Sequence, residues 1–174
     1  MFENIKEDIK IVCYEKKFLN YLKVLIFSHT IHLIMLFRFG FFLQSKVPVI
    51  GKISSKIIEY IIRILYASDI SCQAKIGKGL NIAHGHDIVI GSSVIIGDYC
   101  KIFNGVTLGN KNTETTIVEQ PILCDNVIVS TGAKILGRVK LGKGCVIGAN
   151  SVVLNDIPDN TVAVGIPAKV IKNI

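Results

Sequence analysis

The sequence predicts a mainly β fold, a parallel β-helix of six-residue repeats behind an N-terminal α-helical segment. Three observations carry the prediction. From residue 70 an aliphatic side chain returns every sixth position: Ile70, Ile76 and Ile82, then after a slip of two residues Ile90, Ile96, Ile102 and Leu108, and after a longer interruption Leu123, Val129, Ile135, Leu141, Ile147 and Val153. Four places after most of these stands a small or β-branched residue: Ala74, Val94, Cys100, Val106, Val127, Ala133, Val139, Cys145 and Ser151. Residues 1–68 lack the hexads and carry apolar and charged residues at helical spacing.

Taken in order, "MFENIKEDIK" is charged with both signs and does not read as a signal peptide. Residues 18–43 are strongly apolar, but Lys23 and Arg38 leave only fourteen residues between them, interrupted by Ser28, His29, Thr30 and His32. A spanning helix wants about 20 clean residues, so a buried or interfacial helix is expected, with its histidines packed. Pro48 and Gly51 mark a break over 44–52. Helical spacing resumes over 53–67, with Lys56, Glu59 and Arg63 able to share one face. Either helix can pack on a neighbouring subunit or lie on a membrane surface.

The organisation expected is therefore a helical segment, 1–68, and a β-helix domain, 69–174. In extended chain, positions four apart face the same way, so each hexad's aliphatic and small residue both point inward. Gly77, Gly91, Gly97, Gly109, Gly142 and Gly148 directly follow the aliphatics and are read as easing the corner dihedrals. Single repeats cannot bury an apolar side alone, so coils must stack; three hexads per coil make a triangular prism of about four coils. The stretch 110–121, "NKNTETTIVEQP", is a polar excursion from the wall, the kind of loop that carries function on a rigid scaffold.

Composition excludes several classes. The net charge of +7 is spread evenly, with 10 basic and 6 acidic residues in 1–69 and 10 and 7 in 70–174. Nucleic-acid modules concentrate such charge, so the excess reads as attraction to a polyanionic small molecule, to an anionic membrane face, or as a solvated surface. Cys13, Cys72, Cys100, Cys124 and Cys145 are odd in number without close pairs, which suits free thiols in a reducing, cytoplasmic compartment. Cys100 and Cys145 fall in the inward set and are packing residues. No zinc-site spacing occurs, and no metal is expected.

The hexads, "GVTLGN" and the closing "VGIPAKVI" resemble the left-handed β-helix, hexapeptide-repeat acyltransferases. "DISCQAKIGKGLNIAHGHDIVIG" narrows the likeness to the serine O-acetyltransferase group, including its relatives in capsule and exopolysaccharide gene clusters. The left hand comes from the resemblance alone, since general crossover rules favour the right hand. The resemblance further implies a homotrimer with sites in clefts between neighbouring prisms, and acetyl-CoA as acetyl donor along the coils. Pairing of trimers through residues 1–68 stays open.

By the same resemblance His84 is the general base and Asp69 the carboxylate that orients its imidazole. A neutral histidine suits that task because its ordinary pKa of about 6.5 lies near working pH. His84 also falls inside the two-residue slip, where the chain must leave the wall. In coils of 18 residues it would stack on position 66, three residues from Asp69. Two other readings stand: Asp69 caps the first coil and His84 fills a bulge, or His86 is the base, although in unbroken register it would point inward. The resemblance also places CoA contacts at Asn110, Lys111, Thr131, Ala149 and Lys169, lysine being a natural phosphate partner.

Two positions depart from the serine enzymes. Where those carry an aspartate before the catalytic histidine and a histidine before the loop-closing proline, this chain has Ala83 and Gln120, and the acidic stretch before "YLK" reads "VCYEKK". An amino-acid acceptor needs charged partners to offset desolvation. The expectation is therefore a neutral acceptor: a sugar hydroxyl in capsular, exopolysaccharide or lipopolysaccharide biosynthesis, hydrogen-bonded by groups such as Asn104 and Gln120 beside Ala83, with peripheral contact at the inner membrane face. Serine O-acetylation in cysteine synthesis is one alternative, for which Ile174 would be a docking residue toward cysteine synthase. A non-catalytic trimeric scaffold is the other.

Overall fold

The computed structural model describes residues 2–13, 17–112, 114 and 118–174, so Thr113 and 115–117 of the polar loop, and part of "VCYEKK", lie outside the described residues. Four helices come first: α1 (Phe2–Val12), α2 (Phe18–Phe27), α3 (His29–Lys46) and α4 (Ile50–Tyr66). Fifteen short strands follow, numbered in chain order, and wrap into three sheets. The first sheet stacks β1 (Asp69–Ile70), β4 (Val89–Ile90), β7 (Thr107–Gly109), β10 (Lys134–Leu136) and β13 (Val152–Val153). The second stacks β2 (Lys75–Ile76), β5 (Ile95–Ile96), β8 (Ile122–Leu123) and β11 (Lys140–Leu141). The third stacks β3 (Asn81–Ala83), β6 (Lys101–Phe103), β9 (Ile128–Val129), β12 (Val146–Ile147) and β14 (Thr161–Gly165), and β15 (Ala168–Asn173) folds back antiparallel on β14.

This is the expected parallel β-helix. All thirteen aliphatics of the hexad set are at most 9% exposed, and the small residues four places on are buried with them. Each fully buried Leu, Ile or Val side chain contributes about 1.5–3 kcal/mol at most, so the interior column is the main source of stability. The glycines differ from expectation in their reason. Gly77 and Gly97 do not have positive φ; a Cβ at either would lie 2.3 or 2.5 Å from the aspartate of the coil above. Close stacking, not dihedral freedom, selects glycine there. Ten of the residues with positive φ form two corner columns instead, Gly79, Tyr99, Asn126, Gly144 and Asn160 in one, Ala67, Asp87, Gly105, Gly132 and Asn150 in the other.

The helical segment differs more. The apolar stretch 18–43 is not one helix: it breaks at Ser28, whose Oγ accepts from the Ile31 N–H at 3.4 Å and caps α3. Helices α2 and α3 meet at 77° there, and no single helix among the described residues is long and apolar enough to cross a membrane. Helix α4 begins at Ile50 and includes Gly51, and α1 is a helix of its own at the start of the segment read as helical over 1–68. Of the face expected on α4, Lys56 pairs with Glu59 at 2.7 Å, whereas Arg63 turns elsewhere. Glu59 also accepts from the Cys72 N–H at 2.7 Å, tying α4 to the first coil.

Buried side chains of α3 (Ile31, Leu33, Ile34, Phe37) and α4 (Ile58, Ile62, Tyr66) join the prism interior in one cluster. A buried ion pair locks this junction. Arg38 donates to both oxygens of Asp8, at 3.0 and 3.2 Å, and to the carbonyls of Ile76 (2.6 Å) and Gly77, while Asp8 accepts from the Leu80 N–H at 2.8 Å. One guanidinium thus clamps α1, α3 and the first corner of the β-helix.

Arg38→Met should lower unfolding free energy by about 3–5 kcal/mol, because Asp8 is left buried without its cation, while Arg38→Met with Asp8→Leu should recover much of the loss; urea unfolding measures both. Cys72, Cys100, Cys124 and Cys145 are free thiols, and burial pushes the thiols of Cys72 and Cys145 up to about 12 and that of Cys100 up to about 11. At pH 8 these three should react with a thiol reagent at least about 100-fold more slowly than in the urea-unfolded chain, followed by mass mapping of the labelled cysteines.

Candidate active site

The site residue expected from the sequence sits where the coil count changes. Asn81 pairs with Lys101, and Asp69 with Val89, both twenty residues apart, whereas Val89 pairs with Thr107, eighteen apart. The first coil therefore carries two extra residues, and they are ejected over 84–87. His84 is exposed, with φ +55°, outside both left-handed columns. A non-glycine residue in that region is strained, and such strain is often found at functional sites. No hydrogen bond to the His84 ring occurs among the described residues.

The longer coil corrects the stacking expected for His84. It is His86, not His84, that lies over Tyr66: its Nδ1 is 3.3 Å from the Tyr66 carbonyl. His86 does not point inward either. Ile88, fully buried, takes the inward place, and the His86 ring stacks on His29 of α3 with centroids 5.5 Å apart. The His86 N–H donates to the His84 carbonyl at 2.6 Å and the Gly105 N–H to the His86 carbonyl at 3.1 Å. Between the two histidines Gly85 is buried against α3, where a Cβ would come within 2.9 Å of Leu33 Cδ2. The bulge is thus braced from inside by α3, which leaves His84 facing out.

Asp69 opens β1, and its carboxylate accepts from Arg63 at 2.7 Å rather than from His84. The structure places Asp69 beside Val89, five residues past His84, without bringing the two into a hydrogen bond. Arg63 and His29 are the residues that sequence reasoning missed. Neither carries a sequence signal, because the turn from α4 into β1 and the docking of α3 decide both contacts.

The remaining candidates divide between two corners. Along the corner that holds His84 lie Asn104, Thr131 and Ala149 on successive coils, with Thr131 Oγ1 donating to Asn104 Oδ1 at 3.2 Å, and Ala83 just before the bulge in register with Phe103. At the corner after β7 lie Asn110, Lys111 and Gln120. Asn110 Oδ1 is buried without a partner among the described residues, and Lys111 packs over Gly137. Gln120 Oε1 accepts from the Ser93 N–H at 2.8 Å, the part that Asp98 and Asp125 play at another corner by accepting from Lys78 and Asp98 N–H. Lys169 is exposed on β15, opposite Val164. The Ile174 N–H donates to the Asn160 carbonyl at 2.7 Å while its side chain is exposed. Among the described residues no group of His, Cys, Asp and Glu is placed to hold a metal ion.

Residues 121–155 match the family described as bacterial transferase hexapeptide (six repeats). A serine acetyltransferase of Bacillus pumilus (strain SAFR-032) is 36% identical over 172 residues, which are 98% of this chain and 77% of that protein. One of Synechococcus elongatus is 41% identical over 128 residues, 74% of this chain and 50% of that protein. Serine acetyltransferase in complex with coenzyme A from Brucella abortus strain S19 superposes with a TM-score of 0.89 at 26% identity, over 99% of this chain and 68% of that one. A serine acetyltransferase in complex with cysteine superposes with a TM-score of 0.87 at 31% identity, over 99% and 66%. The chain spans half the length of the Synechococcus relative and about two thirds of these solved chains. A β-helix of hexads behind four helices, matched at 36% identity over nearly its whole length, belongs to the serine acetyltransferase family of hexapeptide-repeat transferases.

Proposed function

We propose that this chain is an acetyl-CoA-dependent O-acetyltransferase in which His84 is the general base. The observation that carries the reading is the bulge: the one place where the coil gains two residues presents an exposed, unpartnered imidazole on a left-handed backbone. Its ring takes the proton of the acceptor hydroxyl as the oxygen attacks the thioester carbonyl. Collapse of the tetrahedral intermediate breaks the C–S bond, and the imidazolium returns the proton to the departing thiolate, giving an ester and the free thiol of CoA. Backbone N–H groups serve the oxyanion. Asp69 is not hydrogen-bonded to His84 in this structure, but the carboxylate oxygen that Arg63 leaves open is the group assigned to steady the ring during the reaction.

For the donor, the orphaned Asn110 Oδ1 and the neighbouring Lys111 supply an acceptor and a cation beside the loop, with Thr131, Ala149 and Lys169 as further contacts. Relatives solved with coenzyme A support this donor. Asn110 and Lys111 lie on one corner of the prism and His84 and Thr131 on another. A site that uses both sets draws them from neighbouring prisms, which supports a homotrimer.

L-serine is the acceptor with the best support, because the relatives of highest similarity reported above are named serine acetyltransferases. That reverses the order expected from the sequence, and the comparisons give the sugar acceptor no support. One observation keeps a neutral acceptor as the second reading: Ala83 carries no charge, and Gln120, already committed to Ser93, supplies none for an ammonium or carboxylate. Release of CoA thiol with L-serine and with a panel of sugars and oligosaccharides separates the readings. Turnover on serine alone ends the sugar reading, turnover on sugars alone ends the serine reading, and none on either leaves a non-catalytic scaffold.

His84→Ala should reduce turnover about 100-fold to 10,000-fold, with melting temperature unchanged because the side chain is exposed. A near-normal rate refutes the assignment. Gly85→Val should do both kinds of damage, losing about 1–3 kcal/mol to overpacking against Leu33 and misplacing the base; a melt and a steady-state assay of the same preparation check it.

A further inference from the structure

Helix α2 is built inside out. A helix on the surface of a globular protein turns its apolar stripe to the core and its polar face to water. In α2 only Asn20, Tyr21 and Val24 are partly buried and no residue is fully buried, while Phe18, Leu19, Leu22, Leu25 and Ile26 are exposed at i, i+1, i+4, i+7 and i+8, followed by Phe27. Phe18 and Phe27, at its two ends, are 81% and 80% exposed. The helix is nevertheless held in place: the Ser28 N–H donates to the Val24 carbonyl at 3.0 Å, and His32 Nε2 lies 2.7 Å from the Leu25 carbonyl, which keeps α2 bent 77° from α3.

We propose that the outer face of α2 docks in the plane of an anionic lipid bilayer. Charge selects this occupant. From residue 17 to residue 58 there is no acidic residue, and Lys23 is exposed on α2 itself. An anionic headgroup layer satisfies such a surface, whereas a second copy apposed by symmetry would bring like charges together. Size points the same way. Ten residues of helix make a face about 15 Å long and 10 Å wide, far below the ~800 Å² per partner of a stable dimer. The same length is half of the ~30 Å hydrocarbon core, and α3, packed on the β-helix through Ile31, Leu33 and Ile34, is not free to extend it. Lying in the interface is what remains for a short helix with aromatic ends and an exposed lysine between them. The proposal stands independently of the acceptor.

The test is co-sedimentation of the full chain with phosphatidylcholine vesicles made with and without phosphatidylglycerol. Binding is expected to the anionic vesicles, weakening with added salt. The double variant Leu22→Glu, Ile26→Glu should lose at least about tenfold in binding, with unchanged melting and unchanged CoA release on a soluble acceptor, since neither residue belongs to the site. Absence of binding to anionic vesicles, or equal binding by the double variant, overturns the proposal. A change in the sedimentation-velocity mass of the lipid-free double variant also overturns it, and assigns α2 to a contact between copies.

Discussion

Every coil of this protein is hydrogen-bonded to the coil beneath it, and that stacking dictates what the chain is allowed to do elsewhere. Parallel strands only two or three residues long keep register when each coil repeats the last. Any surplus residue has to leave at a corner. Two leave at 84–87, and a longer surplus leaves after β7, where Thr107 pairs with Lys134, twenty-seven residues on. These two departures carry the residues on which the proposed chemistry rests. The inward column of aliphatics contributes the stability, and the irregularities it tolerates at the corners make the site.

The helical segment turns one of those irregularities into a defined shape. Helix α3 presses Leu33 on Gly85 and stacks His29 on His86, so the bulge has a packed inner side and a single free outer side. Arg38 and Asp8 hold α1 and α3 against the first corner at the same time. An ion pair buried this deeply gains little net stability over an apolar pair, but it fixes one geometry, because either partner alone would be a buried, uncompensated charge. In this chain that geometry is the attachment of the helices to the prism.

A division of labour among polar side chains follows from the same stacking. Gln120 stands where a substrate contact was expected, yet its amide oxygen caps a corner N–H of the coil below, as Asp98 and Asp125 do elsewhere. Asn110, at the same corner, has the opposite character, a buried oxygen with no donor among the described residues. Polar groups that close a corner are spent on the backbone. Those left over at a corner are available to a ligand.

Read alone, the residues determined the period, the inward set and the place of the slip, because hexad spacing is a local property that each coil repeats; the choice of His84 as the base came from the family likeness. They did not decide which histidine lies over Tyr66, since that depends on a first coil of twenty residues rather than eighteen, nor that Arg63 takes the carboxylate of Asp69, nor that residues 18–43 bend at Ser28. The left hand of the helix rested on family likeness alone. Contacts such as His29 with His86 join residues far apart in sequence. Only the tertiary packing of α3 and α4 on the first coil decides them, because no spacing within a segment encodes where another element will dock.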